Sequence, residues 1–322
     1  MKYIVLGNGQ EWCYYSWKAA SNDESISFYN DIAAIIKNSL LARICSNHFS
    51  KKKVSDKLSP IRRIWYKPLV EAIGINKSGC VLFFYDYGLL ARDLDFLKYI
   101  KKKYPQTKLV YLFSNIVRIS GAAKHKILEC LQDYYDQVFA FDPNDAIKYG
   151  FDFSPLVYSR DPDYKEEEKI YDVFYVGNAK DRLDTLHEIY KSCVDSKLKC
   201  CFYINGVPPE KQVYSDIHYN HILSYQDVLK LIAKSRSMVD AIQGGSSAMT
   251  IKVCEAVIYD KKLITTNEAI KQEPYYSAEK VLIYHNNCDI NSFISGGDIL
   301  FSKEEKRIFS PYELFNKLYV YQ

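Results

Sequence analysis

The segment QGGSSAMTIKVCEA (243–256) combines two glycines, three hydroxyl side chains and one carboxylate. Gly244 and Gly245 carry no Cβ, so the backbone there can approach a ligand closely. The hydroxyls, which can donate hydrogen bonds to phosphate oxygens at the start of a helix, belong to Ser246, Ser247 and Thr250. Glu255 lies further along the same helix, and its two carboxylate oxygens suit the paired hydroxyls of a ribose. The alternative is a serine-capped helix with an exposed or ion-paired glutamate.

A second loop with phosphate-binding chemistry is VGNAKDRLDTL (176–186). A predicted strand ends at Gly177, and Lys180 and Arg182 stand where the next helix begins. The N-terminus of a helix offers unpaired N–H groups and a favourable dipole, which two cations would reinforce. The alternative is that both cations are surface side chains at the start of the helix with no role in binding. The chain has no GxGxxG fingerprint and no P-loop, which gives little support to nicotinamide binding or ATP hydrolysis.

A third loop, NGVPPEKQ (205–212), places Gly206 and two prolines directly after a predicted strand. Prolines stiffen such a turn because their φ angle is fixed. Taken alone this signal is weak. Together the three loops predict a site for a nucleoside diphosphate, with cations and amides for the phosphates and an acid for the sugar hydroxyls.

These loops require parallel sheets to bring them together. Short apolar runs rich in Val, Phe and Tyr alternate with amphipathic helical segments along the chain. The predicted strands are YIVLG (3–7), CVLFFYD (80–86), KLVYLFS (108–114), QVFAFD (137–142), YDVFYVG (171–177), KCCFYING (199–206), HYNHIL (218–223), SMVDAI (237–242) and KLITTN (262–267). Strands that are apolar on both faces are typical of parallel sheets covered by helices. The predicted fold class is α/β, with two tandem Rossmann-like domains whose sheets bind ligands at the carboxyl ends of their strands and face each other across a cleft.

The chain has 322 residues, which suits two domains. The first domain is predicted at 1–158, and the polar run SRDPDYKEEEKI (159–170) has no periodicity and is predicted to be a linker. The second domain follows at 171–309. The last segment, 310–322, is predicted to be a helix that Ser310 caps and Pro311 begins.

Charge is distributed unevenly between the halves. Residues 1–150 carry 22 basic and 14 acidic side chains, whereas the rest of the chain carries 21 and 25. Within 51–67 cations are interleaved with Ile, Trp and Tyr, a pattern that suits an anionic membrane surface or a lipid phosphate. The residues expected to make this contact are Lys51, Lys52, Lys53, Arg62, Arg63 and Trp65. A solvated helical face is the alternative, and no nucleic-acid recognition motif accompanies the charge.

Cysteine usage and the N-terminal sequence indicate the compartment. The nine cysteines are scattered without a CxxC pair, which is typical of a reducing cytosol. Met1 leads into a strand rather than a signal peptide, and no apolar run approaches the ~18 residues that a membrane span needs. We therefore expect a cytoplasmic protein whose membrane contact is peripheral.

The region from Tyr171 to Asn267 resembles the nucleotide-sugar half of GT-B glycosyltransferases, in particular bacterial enzymes of O-antigen, lipopolysaccharide and capsule assembly. The resemblance lies in YDVFYVGNAKDRL, CFYINGVPPEKQ and the run from IHYNHILSY to KKLITTN. It implies that Lys180 and Arg182 contact the donor diphosphate and that Glu255 contacts the donor ribose. It also places Leu223 or its neighbours beside the nucleotide base. It implies that the first domain (1–158) binds the acceptor, that the second (171–309) binds the nucleotide sugar, and that the C-terminal helix packs back on the first domain.

The resemblance leaves the stereochemical outcome open. The best-known retaining pattern has a second glutamate before the helix acid, whereas Ala248 stands seven residues before Glu255. Inverting chemistry needs a general base in the first domain, and the candidates at its strand ends are Glu11 and Asp86. Enzymes of this architecture stabilise the departing diphosphate with helix dipoles, Lys and Arg, so neither a metal nor another cofactor is expected.

The predicted function is transfer of a sugar from a nucleotide-diphosphate donor to a lipid-linked or oligosaccharide acceptor in bacterial surface polysaccharide assembly. The acceptor would lie at the inner face of the plasma membrane, and no nucleic acid is an expected partner. Two alternatives stay open: a non-hydrolysing nucleotide-sugar epimerase, and a catalytically inactive partner in a glycan-assembly complex. A polyol-phosphate transferase is disfavoured, because the chain lacks a histidine pair placed for phosphoryl chemistry.

Overall fold

The computed structural model describes residues 1–49, 59–244, 246–286 and 288–318. The chain divides into two compact units. The first unit comprises Met1–Pro155 and the segment that begins at Leu314, and the second comprises Leu156–Glu313.

The first unit is built on a parallel sheet with the strand order β2-β1-β3-β4-β5-β6. Its strands are β1 (Tyr3–Leu6), β2 (Ile26–Tyr29), β3 (Val81–Tyr85), β4 (Lys108–Leu112), β5 (Gln137–Ala140) and β6 (Asp152–Phe153). Its helices are α1 (Glu11–Lys18), α2 (Ile32–Ile35), α3 (Ser39–Phe49), α4 (Ser59–Arg62), α5 (Tyr66–Ile73), α6 (Leu94–Lys103), α7 (Gly121–Lys124), α8 (Leu131–Tyr134) and α9 (Pro143–Tyr149). Every residue of β3 is buried, as expected for a central strand covered on both faces.

The second unit has a parallel sheet with the strand order β12-β11-β10-β7-β8-β9. Its strands are β7 (Tyr171–Asn178), β8 (Cys200–Asn205), β9 (His218–Tyr219), β10 (Ser235–Asp240), β11 (Lys262–Thr265) and β12 (Val281–Ile283). Its helices are α10 (Leu183–Asp195), α11 (Tyr225–Ala233), α12 (Ile251–Ile258), α13 (Ile290–Ser295) and α14 (Lys303–Arg307). The order matches that of a dinucleotide-binding Rossmann sheet.

The predicted α/β class with two parallel sheets is confirmed. The sequence analysis missed three short strands, β2, β6 and β12, and extended another too far. It predicted a strand over 218–223, whereas β9 contains only His218 and Tyr219. Asn220 ends the strand because it adopts a left-handed φ of 57°.

Helix α11 begins at a capped position. Ser224 is its N-cap, and the Ser224 hydroxyl accepts the Asp227 amide. None of the described helices is long and apolar enough to cross a membrane.

Residues 159–170, which the sequence analysis predicts to be a linker, make several contacts with the rest of the second unit. Arg160 donates to the carbonyl of Ile258, and the Asp161 amide donates to the Tyr259 hydroxyl. Glu166 forms an ion pair with the buried Lys261. These contacts fix the segment against α12 and the start of β11, which polarity along the sequence could not reveal.

The C-terminal helix, α15 (Pro311–Asn316), belongs in part to the first unit. The ring of Phe315 stacks on Tyr3 with a centroid distance of 3.9 Å, and it also meets Phe83 and Trp17. Leu314 and Leu318 are buried, and Tyr321 lies outside the described residues. The last turn of α15 therefore completes the aromatic core behind β1 and β3.

We expect Phe315→Ala to lower the free energy of unfolding of the first unit by about 3 kcal/mol, because it empties a nearly closed aromatic site. Urea unfolding followed by tryptophan fluorescence measures this, since Trp12, Trp17 and Trp65 all lie in the first unit. The matched control is Asn316→Ala at the next, exposed position of the same helix and unit, and we expect a loss of about 0.5 kcal/mol or less. Equal losses in the two variants would contradict the packing described for α15.

Candidate anion-binding site

The candidate site lies in the second unit, where β7 and β10 are neighbours in the sheet. From β7 the chain continues to β8 on one side, and later it returns to place β10 on the other side. The loops that leave the carboxyl ends of these two strands therefore diverge, which creates the crevice where open α/β sheets bind ligands. The two loops are 179–182, which leads into α10, and 241–250, which leads into α12.

Arg182 links the two loops. Its Nη1 donates to the carbonyl of Ala241 after β10, and its Nη2 donates to the carbonyl of Asn178 at the end of β7, at 3.1 Å. Its Nε is buried and has no hydrogen-bond partner among the described residues. The guanidinium thus holds a fixed position at the switch point.

Two further contacts join the same loops. Lys180 has a left-handed φ of 49°, and its Nζ donates to Gln243 Oε1 at 2.9 Å. The Gly244 amide donates to Asp181 Oδ2 at 3.0 Å. A Cβ at position 244 would lie 3.1 Å from that oxygen, so glycine permits the close approach of the backbone. Gly245 lies outside the described residues.

A buried carboxylate, Asp240, anchors the start of α12. Thr250 Oγ1 donates to Asp240 Oδ1 at 2.7 Å, and Thr265 Oγ1 donates to Oδ2 at 3.1 Å. The Thr250 hydroxyl also accepts the Lys252 amide as the N-cap of α12. The sequence analysis expects Thr250 to donate to phosphate, but in the structure its proton is committed to Asp240.

The two serines lie in the turn before α12 and are half-buried. Ser246 Oγ accepts the Ala248 amide at 3.2 Å, and the carbonyl of Ser247 accepts from Asn267 at 3.3 Å. Asn267 also donates to the carbonyl of Ala248. These bonds hold the turn in one shape above the end of β11.

Glu255 is only 2% exposed, which excludes the exposed glutamate of the alternative interpretation. Its Oε1 accepts from the Tyr225 hydroxyl at 2.5 Å, and that hydroxyl also bonds the Tyr158 hydroxyl at 2.9 Å. Its Oε2 is buried and has no hydrogen-bond partner in the described part of the chain. Burial raises the pKa of Glu255, and Lys252 and the Tyr225 hydroxyl oppose that rise. One acceptor of this acid therefore remains unused.

The sequence analysis missed Lys252, the second residue of α12. This lysine is half-buried, and its ammonium lies 5.7 Å from the ring centroid of Tyr175. A Cβ at Gly177 would lie 3.6 Å from Lys252 Nζ, which places the predicted Gly177 beside it. Across residues 1–49, 59–244, 246–286 and 288–318, the ammonium has neither a hydrogen-bond acceptor nor an ion pair.

Electrostatics disfavour the charged form of Lys252. Burial lowers its pKa, and Arg182 and Lys180 act in the same direction, whereas Glu255 and Asp240 oppose them. The positive end of the helix dipole adds a further cost, because cations are unfavourable at a helix N-terminus. A lysine at this position in a glycine-preceded helix was a sequence signal for an anion site, since a bound anion would offset the repulsion from Arg182, Lys180 and the helix dipole.

The structure thus brings Lys180, Arg182, Lys252, Gly177 and Glu255 together around the switch point. The other two predicted donor-site residues follow neighbouring elements. Gly206 ends β8 with a φ of 73° and open space around it, and Leu223 is half-buried one residue before the α11 cap. The arrangement can bind a multiply charged anion through three cations and the amides of two helix starts.

The two residues predicted as candidates for the general base, both in the first unit, differ in exposure. Asp86 has no exposed surface, and its carboxylate accepts from the Tyr111 hydroxyl at 2.6 Å and from the amides of Gly121 and Ala122. Burial raises its pKa, although these hydrogen bonds oppose the rise. Because these hydrogen bonds occupy both carboxylate oxygens, a structural role is favoured, in which Asp86 fixes the start of α7. Glu11 is exposed at the first position of α1.

The predicted membrane-contact residues are only partly described, since Lys51, Lys52 and Lys53 lie outside the described residues. Arg62 forms an ion pair with the buried Asp93 at 3.0 Å, and Trp65 donates to His48 at 2.8 Å. Arg63 is more exposed and pairs with Asp95 at 3.4 Å. Two apolar side chains of the same stretch, Ile61 and Ile64, are exposed.

No protein-family model and no curated protein matches this sequence. Among solved structures, the chain is similar to AviGT4, a glycosyltransferase involved in avilamycin A biosynthesis, with a TM-score of 0.54 and 10% identity over 96% of this chain and 92% of that one. It is also similar to an α,α-trehalose-phosphate synthase (UDP-forming) from Burkholderia vietnamiensis, with a TM-score of 0.49 and 10% identity over 92% and 90% of the two chains. The likeness to AviGT4 confirms the predicted GT-B fold, and at this identity it shows the fold alone.

The raised pKa of Glu255 predicts a pH dependence of stability. Because the folded state holds this proton more tightly than the unfolded state, the contribution of Glu255 to stability falls as the pH rises from its ordinary pKa of 4.5 through the folded-state pKa. Glu255→Gln keeps the acceptor for Tyr225 but cannot ionise. We expect the free energy of unfolding of the wild type, relative to this variant, to decrease over that range in urea titrations. Glu188→Gln, at an exposed position of α10, is the control, and a flat difference for Glu255→Gln would contradict the prediction.

Proposed function

We propose that this chain is a glycosyltransferase that moves a sugar from a nucleotide-diphosphate donor to an acceptor hydroxyl. The observation that carries the proposal is the half-buried ammonium of Lys252, which makes no ion pair in the described structure and stands beside Arg182 at the start of α12. An unbound state of this kind is electrostatically costly, and a diphosphate would relieve the cost. The AviGT4-like fold supports the proposal, because that protein is a glycosyltransferase.

The donor would lie along the carboxyl edge of the second sheet. Its phosphates would contact Lys252, Arg182 and Lys180 and the backbone amides of loop 241–250. The unused Oε2 of Glu255 would accept from a pentose hydroxyl. In the proposal the nucleotide base lies near Leu223. The open surface at Gly206 leaves room for the donor on the same edge of the sheet.

The chemistry follows from this charge distribution. As the bond between sugar and diphosphate breaks, negative charge grows on the departing phosphate oxygen. Preorganised cations and amides stabilise that charge without reorganising, and they contribute most where water is excluded. The proposal therefore includes no metal and no resident cofactor. Glu11 is the proposed general base, since its carboxylate is exposed whereas that of Asp86 is enclosed.

The proposed acceptor is a lipid-linked glycan or oligosaccharide of bacterial surface polysaccharide assembly, met at the inner face of the membrane. Two features of the first unit support this choice. The stretch from Lys51 to Lys67 carries seven cations, and the exposed side chains of Ile61 and Ile64 lie beside the exposed Arg63. Cations with apolar neighbours suit an anionic lipid surface.

Calorimetric titration distinguishes the phosphate contact of the proposed donor site from its pentose contact. We expect the chain to bind at least one nucleoside diphosphate, and Lys252→Met to weaken that binding about tenfold or more, because a charged hydrogen bond contributes roughly 1.5–3 kcal/mol. Inorganic pyrophosphate should lose affinity to the same extent, since Lys252 is proposed to contact phosphate. Glu255→Gln should weaken the nucleotide but not pyrophosphate, because Glu255 is proposed to contact the pentose.

Lys230→Met is the matched control, because Lys230 is exposed on α11 and pairs with Asp227 of the same helix. We expect its affinity to be unchanged. Failure of every nucleoside diphosphate to bind would reject the donor site. Turnover of a nucleotide sugar without any acceptor would favour the epimerase, and donor binding without turnover would favour the inactive partner.

Vesicle sedimentation tests the membrane contact. We expect binding to vesicles that contain phosphatidylserine, and the triple substitution of Lys51, Lys52 and Lys53 by Gln should weaken it markedly, because each cation near an anionic surface contributes about 1 kcal/mol. The chain provides its own control in Lys101, Lys102 and Lys103 at the end of α6. Equal weakening by both triple substitutions would show a nonspecific charge effect and reject a membrane-facing role for 51–53.

A further inference from the structure

The second unit contains a cavity of about 340 Å³ at the amino edge of its sheet. Ser235 begins β10 and Lys262 begins β11, and both residues line the cavity. The other walls come from the segment 160–169 and from the loop 297–300 after α13. Since β10 runs for six residues to Asp240, at about 3.3 Å per residue, the cavity lies roughly 17 Å from the candidate anion-binding site at the carboxyl edge. The two sites are therefore distinct.

Two arginines of the cavity wall keep hydrogen-bond donors available. The guanidinium of Arg236 is 45% exposed and donates no hydrogen bond to any described residue. Its two ion pairs are long, with 3.5 Å to Asp172 Oδ1 and 4.0 Å to Asp298 Oδ1. The guanidinium of Arg160 lies 4.9 Å from the ring centroid of Tyr164, which holds it in place at the surface. A planar guanidinium with spare N–H groups matches the oxygens of a phosphate.

The loop after α13 adds backbone donors. Gly296 has a right-handed conformation with φ −66° and ψ 17°, and Gly297 has a left-handed φ of 85°. This order of conformations turns successive N–H groups toward one side and forms a concave site for anions. Across the described part of the chain, the amides of Gly297 and Asp298 donate to no acceptor. The loop therefore presents two unpaired amides at the cavity wall.

Lys262 holds this loop against the sheet. Its buried ammonium donates to two carbonyls in the last turn of α13, and a Cβ at Gly296 would lie 3.3 Å from its Nζ, so glycine suits that position. Burial lowers the pKa of Lys262, Asp298 and Glu279 oppose this, and Arg236 lowers it further. Arg236 and Lys262 are thus close enough to repel each other, and an anion bound at Arg236 would offset that repulsion.

Positive charge exceeds negative charge around the cavity. The lining includes five cationic side chains, those of Arg160, Lys169, Arg236, Lys261 and Lys262. It includes four carboxylates, those of Glu166, Glu167, Asp260 and Asp298. Glu167 and Asp260 pair with Lys234 and Lys306, which do not line the cavity, and Arg236 pairs with Asp172, which also lies outside the lining. With these partners counted, seven cations stand against five carboxylates, which favours an anionic ligand.

Size and lining indicate an organic anion. Pockets for small ligands measure about 300–1,000 Å³, so this cavity has room for more than inorganic phosphate. Ile299 and Leu300 line it, and Leu300 is 78% exposed, which gives a carbon skeleton an apolar surface to contact. A neutral polyol would leave the excess positive charge without a counterion.

We propose that this cavity binds a small organic phosphate, whose phosphate oxygens accept hydrogen bonds from Arg236 and from the amides of Gly297 and Asp298. Arg160 adds positive charge, and Ile299 and Leu300 contact the carbon skeleton of the ligand. The site lies at the opposite edge of the sheet from Lys252 and Arg182, so its ligand binds without contacting a donor nucleotide. The inference does not rest on the proposed function.

The experiment titrates the full chain by calorimetry with glycerol 3-phosphate, glucose 6-phosphate and inorganic phosphate, and with glycerol and glucose as neutral counterparts. We expect at least one organic phosphate to bind more tightly than inorganic phosphate, and neither neutral compound to bind. Arg236→Gln should weaken that binding about tenfold or more, because it removes a charged hydrogen bond. Asp298→Asn should strengthen it about twofold to fivefold, because it removes a repelling carboxylate and keeps the backbone amide.

Each loss has a matched control. Arg307→Gln changes another exposed, ion-paired arginine of the second unit, and it should bind the organic phosphate as the wild type does. Gly297→Ala should weaken binding, because alanine is strained at a φ of 85°. Gly150→Ala, at a φ of 65° with equally open surroundings in the first unit, should leave binding unchanged.

Lys252→Met separates this cavity from the candidate anion-binding site. We expect this variant to bind the organic phosphate as the wild type does, and Arg236→Gln to bind nucleoside diphosphates as the wild type does. A protein that binds the organic phosphate but no nucleoside diphosphate would reject the proposed function and keep this cavity.

Three results would overturn the inference. The first is that neither organic phosphate binds more tightly than inorganic phosphate. The second is that Arg236→Gln and Arg307→Gln have equal affinity for the organic phosphate. The third is that Lys252→Met loses the organic phosphate while Arg236→Gln retains it, which would place that ligand at the carboxyl edge of the sheet.

Discussion

The parallel pairing of β7 with β10 is the constraint on which the candidate site depends. It sets side by side two loops that are far apart in the chain, and Arg182 then reaches a carbonyl 59 residues away. The same pairing places Asp240 at the end of β10, where Thr250 and Thr265 bond it. Without this register, Lys252 would be an ordinary lysine at the start of a helix. With it, Lys252 stands within a group of cations at the switch point of the sheet.

The buried charged groups around the β7–β10 switch point form few direct ion pairs. Asp240 and Glu255 are both buried, and each is held by hydroxyl groups instead of a salt bridge. A hydroxyl satisfies a carboxylate oxygen without a direct ion pair, and Lys252 makes no ion pair with either acid in the described structure. Under the proposed function, a salt bridge between Lys252 and either acid would stabilise the unbound protein and weaken binding of the donor phosphates. The hydroxyl of Tyr225 instead holds Glu255, and Lys252 makes no direct ion pair in the described structure.

Both sheets have a switch point in their strand order, but the side chains at the two switch points differ in chemistry. Each has a switch point where loops diverge, in the first unit beside β1 and β3 and in the second beside β7 and β10. The first is lined by apolar side chains, glycines and a carboxylate, whereas the second gathers Lys180, Arg182 and Lys252. Under the proposed function, the cations that a charged leaving group requires stand at the second switch point.

The sequence by itself determined the alternation of strands and helices, the Ser224 cap and the loops that carry Lys180, Arg182 and Glu255, because period, caps and glycine turns are local properties. Tertiary structure alone decided what those side chains contact. It enclosed Asp86 beneath α7, committed the Thr250 hydroxyl to Asp240 and gathered residues 160–166 onto the second unit. It also revealed Lys252 and the cavity beside Arg236. Such contacts join residues far apart in the chain, and no local pattern encodes which distant partner a polar atom will meet.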